Sequence, residues 1–334
     1  RLVRQNPPIL LHAQPLISNL GAREPFRSFP TGCLSYSVHG LIHRTGDRGN
    51  RRIFSVPELP EAEVVARQLR AQLLGAQLNE CLIGRTDIVR EGLLTLSWYH
   101  GAVLEDVERY GKSVVLGLKK ENETRYVVAE LGMTGLLLFR ATQTKYPQHV
   151  HVRMSFMGGR EPQLRYWNPR RFGRMSLLDR AGLEGYRARR FGVDPLTVPR
   201  EAFVRLLQAR RGRLKPLLMH QQVIAGIGNI YANEILFRAR LHPNRDVNRL
   251  REATIVTLYD TMQTVLREAI SCGGSSVKDF YAPDGTEGQY KLRHLVYGKE
   301  GQPCPNRCGR MIRRLQSERS SFFCPACQSN RLPG

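Results

Sequence analysis

Nowhere does the sequence hold a run approaching the ~20 apolar residues that a membrane-spanning helix requires. No secretory signal peptide is recognisable either. Acidic residues are scarce: 29 Asp and Glu stand against 51 Lys and Arg, a net charge of +22. That balance suits a polyanionic partner, nucleic acid first, with a basic ribosome-associated protein as the alternative. Cysteines are few and unevenly spread. Cys33, Cys81 and Cys272 are isolated, while Cys304, Cys308, Cys324 and Cys327 crowd the C-terminus. A disulfide framework would distribute its cysteines through a secreted chain, so this pattern argues for metal ligands in a reducing compartment. Disorder of the whole chain is excluded by an apolar content of 41%, and 334 residues suffice for about two domains.

Residues 1–55 lack lysine and nearly lack acid, with eight Arg, one Glu and one Asp among five prolines. They read as a leader, either a cleaved transit peptide or an upstream stretch outside the functional protein. From residue 57 the pattern sharpens. Pro60 suits a first helical turn, Val65, Leu69 and Leu73 share one face, and Gly75 is a plausible stop. Between about 76 and 180 come short β-rich segments: 113–118, 125–131, 135–139 and 149–156. They predict an antiparallel sandwich or barrel. From about 199 to 272 the period turns helical, with GIGN (226–229) as a tight turn between two helices. Asn229 reads there as an N-cap, and the free N–H groups at such a helix start either hold a phosphate or serve only the fold.

The cysteines are spaced Cys304-x3-Cys308-x15-Cys324-x2-Cys327. Four thiolates fill a tetrahedral zinc site and leave no open position, so one structural Zn2+ is expected. Arg307, Arg310, Arg313, Arg314 and Arg319 make this finger basic, as phosphate contact would require.

An ordered set of motifs carries a resemblance. PELPE (57–61), YGK (110–112), LGMTG (131–135), NPRRFG (168–173), LKPLLMHQ (214–221), GIGNIYANEILF (226–237), KDFYAPDGTEGQY (278–290) and VYGKEGQPC (296–304) precede the last cysteines. The sequence resembles the formamidopyrimidine-DNA glycosylase/endonuclease VIII family, and within it the formamidopyrimidine-DNA glycosylase branch. The resemblance implies an α+β fold. An N-terminal antiparallel β-sandwich with an N-terminal helix would span 57–185. A helix-two-turn-helix domain with a lesion-capping loop would span 195–290, and a β-hairpin zinc finger 291–334. Residues 1–56 would be the non-native or cleaved leader.

The implied activity is excision of oxidised purines such as 8-oxoguanine and formamidopyrimidines from double-stranded DNA, with AP lyase activity by β,δ-elimination. Pro57 maps to the N-terminal nucleophile. A mid-chain proline is an amide, but a free N-terminal proline is a secondary amine with a pKa of about 8, able to attack C1′. Initiation at Val56 with removal of that residue would free it, and so would transit-peptide cleavage; a chain never cut there would be catalytically dead. Glu58 maps to an acid/base and electrostatic role at the sugar, and Lys112 to a contact with the target phosphates. Glu61 is either part of this motif's chemistry or a structural carboxylate at a helix start.

Met133, Arg170 and Phe172 map to the group that fills the hole left by the flipped base, although Met133 and Phe172 taken alone would pack a core. Lys215, Asn229 and Arg319 map to backbone phosphates, and 273–290 to the loop over the flipped base. The sequence departs from the family at Glu130, where histidine is common, at Asn168, where aspartate is expected, and in the three-residue gap between Cys304 and Cys308. A monomer in the bacterial cytoplasm, associated with the nucleoid and not with a membrane, is the matching expectation. The alternatives are an endonuclease VIII-like enzyme for oxidised pyrimidines and a non-catalytic DNA-binding module.

Overall fold

The structure is a computed structural model and describes residues 57–140, 147–275, 280–316 and 319–330. The leader read at 1–56 lies outside the described residues, as do positions 276–279 of the loop read as a lesion cap.

Helix α1 (Leu59–Leu73) begins where Pro60 can enter a first turn without a lost N–H, and where Glu61 reaches back to accept the Glu58 N–H at 2.9 Å. It stops just before Gly75, whose φ of +79° turns the chain. Two faces of α1 enter two different cores. Ala62, Val65, Ala66, Leu69 and Leu73 pack into the sheet domain, whereas Leu59 and Val64 join the core of the helical domain. The helix is thus a wedge that fixes its own N-terminus at the domain junction.

Nine strands follow: β1 (Gln77–Ile83), β2 (Val89–Glu91), β3 (Val103–Tyr110), β4 (Ser113–Lys120), β5 (Glu123–Glu130), β6 (Leu136–Leu138), β7 (Val150–Met157), β8 (Gln163–Trp167) and β9 (Met175–Leu178). Their hydrogen-bonded order is β2-β9-β5-β4-β3-β1-β7-β8-β6. All pairings are antiparallel except β2 with β9. At β1–β3 the register is a single pair, Gln77 with Val103, and the two halves on either side share one core. The sheet is therefore a sandwich hinged at that corner.

Strand β4 is buried from Ser113 through Leu118 because both its faces are covered. Val114, Leu116 and Leu118 point into the sandwich, while Val115 lies beneath helix α2 (Arg180–Arg190) with Val128, Leu178, Leu183 and Tyr186. The sequence pattern did not announce α2, since only Leu183 and Tyr186 of its residues are buried.

The helical domain comprises α3 (Arg200–Gln208), α4 (Leu214–Met219), α5 (Asn229–Arg238) and α6 (Glu252–Ser271). Residues 230–237 of α5 are all buried, so it is the central helix of this core. A hairpin of β10 (Arg313–Leu315) and β11 (Ser321–Phe323) packs on α5 through Phe322, whose N–H donates to Asn233 Oδ1 at 2.8 Å.

Candidate active site and zinc centre

Pro57 and Glu58 sit at the junction of the two domains, both buried. The Glu58 carboxylate crosses to the start of α5 and accepts the N–H groups of Gly228 (2.9 Å), Ile230 (2.8 Å) and Tyr231 (3.2 Å). It supplies the charge that a helix N-terminus favours. This corrects the expectation that Asn229 caps the helix: Gly228 is the cap residue and Asn229 the first helical one. Glu58 has already claimed the free donors, and Asn229 turns instead to the Tyr297 hydroxyl and the Asn233 amide. Glycine at 228 leaves room for both side chains, because a Cβ there would lie 2.5 Å from Glu58 Oε1 and 2.7 Å from Lys112 Nζ and one of them would have to shift.

Lys112 enters from the β3–β4 turn. Burial pushes the Glu58 carboxyl up to about 7, against the pull of Lys112 and with a push from Glu61. Burial likewise lowers Lys112 below the ordinary lysine value, and Glu58 opposes it. Burial thus moves the two groups' proton affinities toward each other, the carboxyl upward and the amine downward. Glu61, also buried, accepts the Tyr231 hydroxyl at 2.7 Å and the Ser275 N–H at 2.6 Å in addition to the Glu58 N–H.

Lys215 on α4 is buried, and its ammonium donates to Ser320 O and Ser321 Oγ, both at 2.8 Å, on the zinc-finger hairpin. Burial lowers it to about 7, Glu58 raising it and Arg319 lowering it further. The exposed Arg319 also acts on Lys112. Glu58, Lys112, Lys215, Asn229 and Arg319, scattered through the chain, therefore meet in one place.

Lys112 also lines a cleft of about 440 Å3 with Glu130, Gly132, Tyr186, Arg189 and Arg190. Glu130 is not a bare anion there. Arg90 lies 3.2 Å from Oε1, Arg190 pairs with both oxygens, and the Tyr186 hydroxyl donates at 3.3 Å. Two guanidiniums outweigh one carboxylate, so the cleft stays positive.

The expected hole-filling residues occupy two loops, 131–135 and 168–173. The loops touch so closely that a Cβ on Gly132 would fall 2.8 Å from Gly173 Cα. Phe172 is 55% exposed, with the Arg170 guanidinium over its ring at 4.9 Å, so it is not a core residue. Met133 is half-buried beside them. The second loop is shaped by Asn168, whose buried amide donates to Tyr166 Oη and to the Gly173 carbonyl, at 3.1 and 3.2 Å. An ionised aspartate has no proton to give that carbonyl, which accounts for asparagine here. Arg171, at φ +54°, ties the loop to Asp87 at 3.1 Å.

The cysteine Sγ atoms all lie within 4.8 Å of one another, with Cys304–Cys327 at 3.7 Å and Cys308–Cys324 at 3.4 Å. A tetrahedron with Zn–S bonds of about 2.3 Å has S–S edges of about 3.8 Å, so the set fits one structural zinc. The long first gap is absorbed by left-handed backbone at Arg307 (φ +53°) and Gly309 (φ +75°).

Sequence reasoning passed over Arg109. Its side chain, 5% exposed, binds Glu63 at 2.9 Å, Asp194 at 2.5 Å and the Gly111 carbonyl at 3.0 Å. It clamps the YGK turn to α1 and to the segment joining the domains. Asp194 lies 85 positions away, and no local pattern links the two. Tyr231 and Ser275, which hold Glu61, were missed for the same reason.

Comparison with known proteins agrees with this architecture. Residues 56–175 match the "Formamidopyrimidine-DNA glycosylase N-terminal domain", 191–281 the "Formamidopyrimidine-DNA glycosylase H2TH domain", and 301–330 the "Zinc finger found in FPG and IleRS". A formamidopyrimidine-DNA glycosylase of Pelotomaculum thermopropionicum is 36% identical over 281 residues, covering 82% of this chain and 99% of the relative. That of Thermus thermophilus is 39% identical over 285 residues, covering 82% and 98%. The crystal structure of the MutM (Fpg) protein from Thermus thermophilus superposes with a TM-score of 0.71 at 37% identity, over 81% of this chain and 98% of that one. Lactococcus lactis Fpg, solved with DNA containing an abasic site, superposes with a TM-score of 0.71 at 29% identity, covering 81% and 99%. The matched part is essentially the full length of these relatives, and among the described residues both cores lie within it, so a chain begun at Pro57 holds every element that the relatives' own chains match.

A sandwich domain, a helix-two-turn-helix domain and a four-cysteine finger meeting at a buried Pro-Glu pair define an enzyme of DNA base excision, a DNA glycosylase. The chain belongs to the formamidopyrimidine-DNA glycosylase family. Among the described residues no helix is long and apolar enough to cross a membrane.

Proposed function

We propose that the protein removes oxidised purines, 8-oxoguanine and formamidopyrimidines, from double-stranded DNA and then cuts the strand as an AP lyase. The observation that carries this reading is the Glu58 carboxyl, held by three backbone N–H groups beside Pro57 and within the field of Lys112. Once free, the Pro57 nitrogen attacks C1′ and its C–N bond forms as the bond to the damaged base breaks, the base leaving with that electron pair and taking up a proton from water. Glu58 gives a proton to the opening sugar at its ring oxygen. The amine then loses its proton and the sugar carries an iminium, which withdraws electrons for β- and then δ-elimination of the two phosphates. Lys112, Lys215, Asn229 and Arg319 hold the DNA backbone. Met133, Arg170 and Phe172 fill the vacated stack. Acylated by residue 56, the Pro57 nitrogen is inert, so the reactive form begins at Pro57.

The division of labour follows the chain: 57–185 catalysis, 195–290 DNA grip and lesion capping, 291–334 the finger. The bacterial relatives support a cytoplasmic enzyme, and we propose that it acts at the nucleoid as a monomer. The test is a duplex with one 8-oxoguanine, given to the chain begun at Pro57. Release of the base together with a strand gap bearing phosphate at both ends is the expected product. Base release with an intact strand would remove the lyase from this account, and tight binding with no product would favour a non-catalytic DNA-binding module.

A further inference from the structure

The carboxylate of Glu61 ends a chain of hydrogen bonds that starts far from the reacting end. Tyr231 Oη lies 2.7 Å from Glu61 Oε1 and 3.0 Å from Ser275 Oγ, and Ser275 Oγ lies 2.8 Å from His294 Nε2. All four residues are buried, Tyr231 completely. Valence then dictates direction. Both Glu61 oxygens already accept backbone N–H groups, from Glu58 and Ser275, and the Tyr231 hydroxyl donates to the same carboxyl. With that proton used, Tyr231 Oη can only accept from Ser275, and with its own proton used Ser275 Oγ can only accept from His294. The imidazole must therefore carry its hydrogen on Nε2. At its far end, Glu61 Oε2 receives the Glu58 N–H at 2.9 Å, one peptide from Pro57.

We propose that His294 is a positioning residue of the reaction: as the terminal donor of this chain, it holds Glu61 as the acceptor that fixes the Pro57–Glu58 peptide. Packing alone does not require an imidazole. The ring sits edge-on to Tyr290 and Tyr297, at 5.8 and 5.7 Å, where a phenyl ring would fit as well. Only the donor distinguishes histidine there. Without it, Ser275 is free to turn its proton away from Tyr231, and the Tyr231 hydroxyl, though still donating to Glu61, loses the hydrogen bond that polarises it toward that carboxyl. Burial lowers His294 to about 4, so the neutral ring prevails at working pH.

This inference rests on the reading of Pro57 as nucleophile, and the test separates the two. In the chain begun at Pro57, His294→Phe, His294→Gln and Ser275→Ala are compared with the parent. The readouts are single-turnover release of 8-oxoguanine and affinity for a duplex with a tetrahydrofuran abasic analogue. Loss of one buried hydrogen bond predicts a rate lowered about tenfold in His294→Phe and Ser275→Ala. Affinity should stay within about twofold, and His294→Gln, which restores an N–H donor, should recover most of the rate. Parental rates in both His294→Phe and Ser275→Ala would overturn the proposal. So would a rate not rescued by His294→Gln, or a loss of affinity in step with rate, since these mark a merely structural role. A parent that releases no base would instead bring down the Pro57 reading itself.

Discussion

Replacing Gly228 by alanine tests the packing at the reacting end with one methyl group. Residue 228 has φ −124° and ψ −158°, extended backbone that alanine adopts without strain, so any effect must come from contact. The added carbon would lie 2.5 Å from Glu58 Oε1 and 2.7 Å from Lys112 Nζ, where ordinary contacts begin at about 3.5 Å. One or both side chains must move by roughly 1 Å. Lys112 ends a flexible stem, but Glu58 is held by three N–H groups at 2.8–3.2 Å, and a shift of that size breaks at least one of them. Overpacking predicts a loss of about 1–3 kcal/mol of stability. A reacting group displaced by about 1 Å predicts a rate about 100-fold lower. Thermal unfolding and single-turnover base release read the two effects. Gly84→Ala is the control, since a Cβ there meets only the His151 carbonyl at 3.7 Å and should be silent. A Gly228→Ala protein working within about threefold of the parent would refute the argument that Glu58 and Lys112 leave no room.

Three further outcomes are expected. If Glu58 must deliver a proton while a Pro57 amine with a pKa of about 8 must be neutral, base release should pass a maximum between about pH 7 and 8 and decline above it, since burial pushes the Glu58 carboxyl up to about 7 against Lys112, and Glu58→Gln should lose that alkaline decline along with about 100-fold or more in rate. Arg109→Met should lower stability by about 2–4 kcal/mol at pH 7, as judged by denaturant unfolding, because Glu63 and Asp194 lose their shared partner. Burial raises Glu63, but Arg67 and Arg109 outweigh it and hold the carboxyl below its ordinary value. Its contribution is therefore present above about pH 4.3 and lost as pH falls through the folded value, and the variant should show a flatter acid side. Stripping zinc with a chelator should release about one ion per chain and weaken DNA binding at least about tenfold, since the hairpin that Lys215 holds would lose its staple; unchanged binding after complete removal would contradict this.

The residues that make the site recognisable in sequence are those whose meaning is local. The four cysteines declare a metal by spacing alone, and Pro57 and Glu58 stand in a motif with its own chemistry. The strands at 113–118, 125–131 and 149–156 and the helices of the second domain follow from period, because each buries a face or a whole segment. What stayed hidden is what depends on distant partners. Glu58 caps a helix about 170 positions downstream, which no scan for Ser, Thr, Asp or Asn beside that helix would find, and so the cap was given to Asn229. Arg109 and Asp194 read as ordinary charges until the fold joins them. Helix α2 buries too few apolar residues to print a pattern, and Phe172 would have been a core residue by composition alone.

The central claim is that the Pro57 nitrogen becomes covalently joined to the opened sugar. It is tested most directly by borohydride reduction during reaction with a duplex carrying one 8-oxoguanine, followed by digestion and mass mapping of the trapped peptide. The chain begun at Pro57 should give an adduct on its N-terminal peptide, at the proline nitrogen, and the chain with residue 56 still attached should give none. An adduct on a lysine such as Lys112, or equal trapping by both forms, would contradict the account.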